Sequence, residues 1–333
     1  MSTHADSTTS TMHSVRTRHE NPVRDFLSSK AASISVFIIA TLWTIPTFGL
    51  LVSSVRTKDA VTSTGWWTAL QNPAWTLDNY KQVILGGGDN LQVPLVNYIV
   101  NSLAITVPAT IIPITLAAMA AYAIAWVPFR GSDAVFFTIF GLQVVPLQMS
   151  LIPLLSLFSQ GWSVGRFTII PTFDNGLTLF GHQVLPAFKI AGNYAAIWLP
   201  HTMFALPLAI FLIHNFIAAL PRELMEASKV DGANHFLTFT RVVLPLSVPA
   251  LASFAIFQFL WVWNDLLVGM TFAGGSDSIM PLTYRLAQLS GSLGSHWELL
   301  TASAFIAMLI PLIVFFSLQR FFVRGLLAGS VKS

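Results

Sequence analysis

Six long apolar runs dominate this chain: Ser33 to Val55, Asn97 to Val127, Ala134 to Ser159, Tyr194 to Ala219, Leu246 to Ala273 and Leu299 to Phe322. Each reaches the ~20 residues that a helix needs to cross the hydrocarbon core of a bilayer. Backbone N–H and C=O groups find no water there, so each run must satisfy its own hydrogen bonds, which a helix does. The expected fold class is an all-α integral membrane protein with six transmembrane helices.

Composition excludes the main alternatives. Only 9% of residues are charged and 54% are hydrophobic, whereas charged residues approach roughly a quarter of a soluble domain. The chain has no cysteine, which removes disulfides, thiolate metal sites and cysteine nucleophiles together. A net charge of +3 is too small to argue for nucleic acid. No 20- to 50-residue repeat is visible, so the chain reads as one bundle with loops.

The basic residues set the orientation. With both termini inside, segments 1–32, 128–133, 220–245 and 323–333 are cytoplasmic. They hold Arg16, Arg18, Arg24, Lys30, Arg130, Arg222, Lys229, Arg241, Arg324 and Lys332, with Arg320 at the edge. The outside keeps Arg56, Lys58, Lys81, Arg166, Lys189 and Arg285, a bias in the direction of the positive-inside rule. The tail 1–32, rich in Ser, Thr and His, is expected to be disordered, and its following run is too long for a signal-peptide core. External segment 56–94, with Gly86, Gly87 and Gly88, is expected to be largely loop. External segment 160–193 reads either as a small docking platform or as an interfacial loop. Prolines occur in nearly every span. They are common in membrane helices, and they can also splay helices around a pathway that opens and closes.

The stretch from Glu226 to Pro245, EASKVDGANHFLTFTRVVLP, is polar and lies between two apolar spans. Pro221 suits a helix start, and Arg222 to Val230 are good helix formers. Asp231 and Gly232 break that helix, with glycine supplying a backbone conformation that a side chain opposes. Asn234 is a suitable cap for a second short helix running toward Val243, before Pro245 starts the next span. Phe236, Leu237 and Phe239 would then stand among charges, which marks either a partner surface or an elbow folded on its own bundle.

Glu226, Ala227, Ser228, three residues, Gly232, nine residues, Val242, one residue, Leu244 and Pro245 resemble the EAA loop of ABC importer permeases. Ser228 replaces the second alanine and Val242 an isoleucine. The wider PRELMEASKVDGANHF resembles the carbohydrate-uptake branch. So do WTLDNY at Trp75 to Tyr80, Asn101 with Ser102, the run Ala120 to Phe129 followed by Arg130 and Gly131, and the WND of Trp263 to Asp265. The tail QRFFVRGLLAGSVKS is similar to that of the shorter permease of maltose-type heterodimers. The likeness covers Ser33 to the end and departs at 161–193, which is longer than the family usually has.

The resemblance implies a type I importer permease in a bacterial cytoplasmic membrane, with domain 33–322 as the translocating bundle and 220–245 as a cytoplasmic coupling loop. It implies a second related permease, a homodimeric cytosolic ATPase, an extracytoplasmic sugar-binding protein, surrounding lipid and a sugar substrate, such as an oligosaccharide or α-glucoside. The chain would not be an enzyme. It has no GxxxxGK[ST] phosphate cradle, so ATP and Mg belong on the partner. Glu226 would anchor the loop, Gly232 would permit the turn, and Ala233, Asn234 and Phe236 would touch the ATPase. Ala227, Ser228, Asp231, Leu244 and Pro245 complete the coupling set.

For the solute pathway, Phe257, Gln258, Trp261, Asn264, Asp265 and Val268 share one helical stripe, with amides and a carboxylate for hydroxyls and aromatic faces for a sugar ring. Asp265 is an ionisable group in a span, which makes it a functional candidate. The other reading is that Asn264 and Asp265 bond neighbouring helices or an outer gate. Asn97 and Asn101, one turn apart, share the ambiguity. His182, His201, His214, His235 and His296 are scattered without an HExxH pattern, and no GxSxG turn occurs, which argues against zinc or serine hydrolysis. Amino acids or peptides are the alternative solutes, and an ion-coupled secondary transporter is the alternative mechanism.

Overall fold

The computed structural model describes residues 22–86, 93–160, 162–164, 167–170, 177–179, 182–185, 193–274, 277–291 and 296–330. It divides into two units, 1–49 and 50–333. The first is helical from Pro22, where α1 (Pro22–Ser54) begins. Residues 22–32, expected to be disordered, are therefore helical, with proline at the position where its missing N–H costs nothing. The rest of that tail, 1–21, lies outside the described residues. Thr41 and Thr44 donate their hydroxyls to Phe37 O and Ala40 O one turn back, which lets polar side chains sit in an apolar helix.

The second unit opens with α2 (Lys58–Ser63), a 3₁₀ turn at Trp66–Thr68 and α3 (Asp78–Leu85). This is a correction to the mostly loop structure expected for 56–94. Then come α4 (Leu95–Trp126), α5 (Ser132–Leu142) and α6 (Leu147–Gln160). Two antiparallel hairpins follow, β1 (Trp162–Val164) with β2 (Phe167–Ile170), and β3 (Leu177–Leu179) with β4 (His182–Leu185). They are the local exceptions in an otherwise helical protein. The remaining elements are α7 (Ala195–Ala218), α8 (Arg222–Val230), α9 (His235–Thr238), a π-helical turn at Phe239–Val243 and α10 (Leu244–Trp263). The chain finishes with α11 (Leu267–Phe272), α12 (Leu282–Gly291) and α13 (Trp297–Ser330).

Among the described residues, five helices are long and apolar enough to cross a membrane, and the count reaches six if α5 and α6, bent by 102° at their junction, are one span. The third expected span is thus a broken one, bent just before Pro146. The fifth begins earlier than expected, because His235 to Trp263 is one continuous helical stretch. It also ends earlier: the helix stops at Asn264, and α11 is a separate short piece. α13 continues to Ser330, so most of the expected tail 323–333 is helix; 331–333 lie outside the described residues. The other prolines of the spans, Pro46 in α1, Pro108 and Pro113 in α4, Pro153 in α6, Pro200 and Pro207 in α7, Pro249 in α10 and Pro311 in α13, sit inside helices that continue through them.

α4 packs along α7 and α10, and α10 packs along α13. The α4–α7 seam is built from small side chains: Ala109, Ala117, Ala121 and Ala209 are fully buried. In a membrane the hydrophobic effect does not drive helices together, so close backbone approach over small residues supplies the packing. Two core clusters result. One, near the elbow, joins Ala117, Tyr122, Ile213, Ile217, Met225 and Val243. The other, toward the opposite end, joins Tyr98, Phe158, Ile197, Trp263, Phe272 and Leu282.

Candidate functional site

The polar segment 220–245 folds as its local signals predict. Helix α8 covers Arg222–Val230, Gly232 has φ 77°, and the Asn234 side chain accepts the Leu237 N–H at 2.9 Å as an N-cap. A side chain at 232 would meet open space, so glycine is required there by the backbone and not by crowding. Ala233 N–H closes the turn onto Ser228 O at 2.9 Å. Ser228 itself is buried, donates to Met225 O at 2.9 Å and shares a hydrogen bond of 3.2 Å with Thr238 Oγ1. It staples α8 to α9 from inside. Glu226, Ala227, Asp231, Gly232, Asn234 and Pro245 are exposed, while Ala233 and Leu244 are half-buried.

Two exposed apolar side chains mark the outer surface of this elbow: Val230 is 87% exposed and Phe236 75%. Its inner surface is fixed to the bundle. Tyr122, near the end of α4, places its hydroxyl 3.1 Å from His235 Nδ1 and its ring 5.3 Å from that of Phe239. Trp126 donates from Nε1 to Ile217 O, tying α4 to the end of α7. Sequence reasoning missed Tyr122, Trp126, Thr238 and His235 in this role; the only signal for the first two is their place in the run Ala120 to Phe129. The π turn then joins α9 to α10 without a loop, so the elbow and the fifth span are mechanically continuous.

The predicted pathway residues do not form one stripe. Gln258 is buried and donates to Ala109 O on α4 at 3.1 Å. Phe257 is exposed and Trp261 half-buried. With Gln258 they line an open cleft of about 870 Å³ between the α5–α6 bend, α7 and α10, to which Gln143 and Ser150 add polar groups. The helix ends one turn later, which takes the rest of the stripe away from the cleft. Exposed Asn264 donates back to Leu260 O at 2.7 Å, and Val268 is fully buried.

Asp265 sits at the break. Its Oδ2 accepts the Gly269 N–H at 3.0 Å and lies 3.7 Å from Nε2 of buried His201 on α7, whose ring meets Trp261 edge-on. Its backbone carbonyl accepts the Thr283 hydroxyl at 2.6 Å. Asp265 therefore joins α7, α11 and α12.

Asn101 has a related position. Its amide donates to Ser278 O at 2.9 Å and Met280 O at 3.0 Å, and its carbonyl accepts the Tyr194 hydroxyl at 2.7 Å. Neighbouring Ser102 Oγ accepts the Leu282 N–H at 2.7 Å. With its donors and its acceptor engaged by protein groups, Asn101 supports the bundle reading over solute contact. Asn97, one turn earlier on α4, is exposed. Tyr194 and Thr283 were not found from the sequence, and Ser102 and His201 were noted there without these partners, because nothing local announces partners so distant along the chain.

The chain is similar to known transport permeases. The chain is 44% identical to the osmoprotective compounds uptake permease protein GgtD of Synechocystis, covering 96% of this chain and 97% of the relative. It is 40% identical to the alpha-glucoside transport system permease protein AglG of Rhizobium meliloti, covering 94% and 99%. A subunit of a bacterial ABC transporter that imports the acidic polysaccharide alginate superposes with a TM-score of 0.62 over 91% of this chain and 99% of that one; at 18% identity, this likeness is one of fold. The family described as the binding-protein-dependent transport system inner membrane component matches residues 113–327, which include the elbow, the cleft and Asp265. The chain belongs to that family of transport permeases.

Proposed function

We propose that this chain is the membrane-spanning subunit of an ATP-driven sugar importer, pushed from the cytosol through the α8–α9 elbow. One observation carries the reading. An elbow with exposed Val230 and Phe236 is continuous with a transmembrane helix on one side and bonded to the end of α4 on the other. A cytosolic homodimeric ATPase grips α9 near Phe236, with ATP and Mg bound on that partner. A second related permease completes the pathway, and an extracytoplasmic binding protein delivers the solute. Both termini and the elbow are cytoplasmic in this reading.

Closure of the ATPase dimer moves α9, and the π turn passes the movement to α10 while Tyr122 passes it to α4. The bundle rocks between two states, and nucleotide sets their populations by favouring one of them. The chain supplies position and leverage; the hydrolysis occurs elsewhere. A sugar, in particular an α-glucoside, is favoured by the alpha-glucoside relative. Delivery from outside is favoured by a fold neighbour, an alginate transporter solved in complex with a pentasaccharide-bound periplasmic protein.

The test is reconstitution. Vesicles holding the complete complex should accumulate radiolabelled maltose only with ATP inside and binding protein outside. Uphill accumulation by this chain alone, without nucleotide, would overturn the reading.

A further inference from the structure

The segment after α1 is a folded shelf with an unusual surface. Arg56 is fully buried and donates from its guanidinium to Gly65 O at 3.1 Å and to Thr64 Oγ1 at 2.8 Å. The backbone around it pairs with the stretch before α3: Thr57 N–H meets Ala74 O, and Thr76 N–H meets Val55 O. Buried Asn79 donates to Ser54 O and Arg56 O, and Ser54 Oγ lies 2.7 Å from the Tyr80 hydroxyl. These bonds close the shelf on itself and fix the run Trp66 to Leu77 between Arg56 and Asn79.

That run contains no charged residue. It turns large apolar side chains outward: Trp67 is 71% exposed, Leu70 90%, Trp75 51% and Leu77 65%. Charged Lys58, Asp59, Asp78 and Lys81 are exposed on either side of it. A rigid frame that holds an uncharged apolar set outward needs a cover.

Depth identifies the cover. α2 and α3 pack against α13, whose apolar stretch Trp297–Arg320 has 24 residues. At about 1.5 Å per residue it is about 36 Å long, more than the ~30 Å hydrocarbon core. Its first turn, with Trp297 49% exposed, therefore reaches the boundary between hydrocarbon and water at the end of the bundle away from the elbow. α4, which also packs on α3, begins at this same end. The boundary layer is where tryptophan is enriched, because the indole has an apolar body and one N–H donor.

We propose that Trp66–Leu77 is a lipid-binding shelf lying in the headgroup layer. Trp67, Leu70, Trp75 and Leu77 enter the lipid, and Trp297 stands at the same level. The shelf holds one end of α13 at a fixed depth while the other end of the bundle is worked by the elbow. This depends only on the membrane spans and stands or falls separately from the sugar reading.

Because the chain has no cysteine, a nitroxide can be placed on it at one chosen site. Leu70→Cys, Leu77→Cys and a control Lys58→Cys would each be labelled and assembled with the other subunits in phosphatidylcholine–phosphatidylglycerol vesicles. Collision with lipid-soluble oxygen is then compared with collision with a water-soluble nickel chelate. At 70 and 77, oxygen should exceed the chelate by about twofold or more, with the opposite order at 58. Labels at 70 and 77 that favour the chelate would place the shelf in water and overturn the proposal. Labels shielded from both reagents would mean that protein covers it, which overturns it equally.

Discussion

The elbow at one end of the bundle and the break after α10 at the other are both short polar interruptions of apolar helices, yet they are held in opposite ways. The elbow's defining bonds are local: Asn234 caps the N–H three residues on, and Ser228 reaches Thr238 ten residues away. The break is held from elsewhere along the chain: Asp265 lies beside His201 of α7 and accepts the Thr283 hydroxyl of α12, and Asn101 and Ser102 grip the following stretch at Ser278, Met280 and Leu282 across separations of 177 to 180 residues. The elbow leaves Phe236 and Val230 exposed, while Val268, Phe272, Met280 and Leu282 beyond the break are buried in the bundle core. A lever must keep its shape when detached from its load, so its bonds are its own. A closure must keep its place, so its bonds belong to its neighbours.

The sharpest way to break this contrast is Asn101→Leu. The change leaves two carbonyls and a tyrosine hydroxyl without their partner, and an unsatisfied buried group costs about 1–3 kcal/mol. A loss of about 3 kcal/mol is expected, read as a lower unfolding midpoint of the detergent-purified chain together with lost uptake. A midpoint equal to that of the unaltered protein would show that these long-range bonds do not hold the break.

Gly232→Val comes next. Its φ of 77° is unfavourable for a residue with a β-carbon, by about 1–2 kcal/mol and more when the side chain is β-branched. The strain is confined to the elbow, so the bundle should insert normally and keep its midpoint. Sugar uptake should fall by about tenfold, an effect of the order of that strain, while ATP hydrolysis by the complex continues. Gly232→Asn, which tolerates this backbone region better, should keep more uptake than the valine variant. Full uptake by the valine variant would remove the elbow from the coupling path.

The same contrast governs what could be read in the sequence. The spans were legible because hydropathy over ~20 residues is a strong signal. The elbow was legible because proline, glycine and asparagine act within one turn of their own positions. The break at Asn264 to Leu266 was not, since WNDLLVGM continues the apolar run and its partners, His201 on α7 and Thr283 on α12, lie elsewhere in the chain. The shelf was missed for a similar reason: WWTALQNPAWTL has no period of its own, and its order comes from Arg56 reaching Thr64 and Gly65. Gln258 and Asn101 were singled out by chemistry correctly as polar groups within spans, but their partners are distant backbone carbonyls, Ala109 O on α4 and Ser278 O in the stretch before α12. The bend between α5 and α6 also lay inside an apolar run, with Pro146 as its only local mark.

Asp265→Asn sharpens the account of the break itself. The amide oxygen can still accept the Gly269 N–H, so if the carboxylate serves as a cap, uptake should stay within about threefold of the unaltered level, a difference under about 1 kcal/mol. Asp265→Ala, which removes the acceptor, should cost more. Normal membrane levels with abolished uptake in the asparagine variant would mean that the negative charge beside His201 acts on the solute or on the rocking motion.

Tyr122→Phe should have the smallest effect and makes the finest division between lever and bundle. It deletes the hydroxyl that bonds His235 and keeps the ring against Phe239. One half-exposed hydrogen bond contributes about 0.5–1.5 kcal/mol, and the continuous helix from α9 through the π turn to α10 remains as a second connection. Uptake should fall by about twofold with no change in membrane level, and the ATP hydrolysed per sugar moved should rise. Tyr122→Ala, which also removes the ring packing, should lose more on both measures. If the phenylalanine variant matches the unaltered protein in sugar moved per ATP, the thrust from the elbow travels through α10 alone and α4 follows it passively.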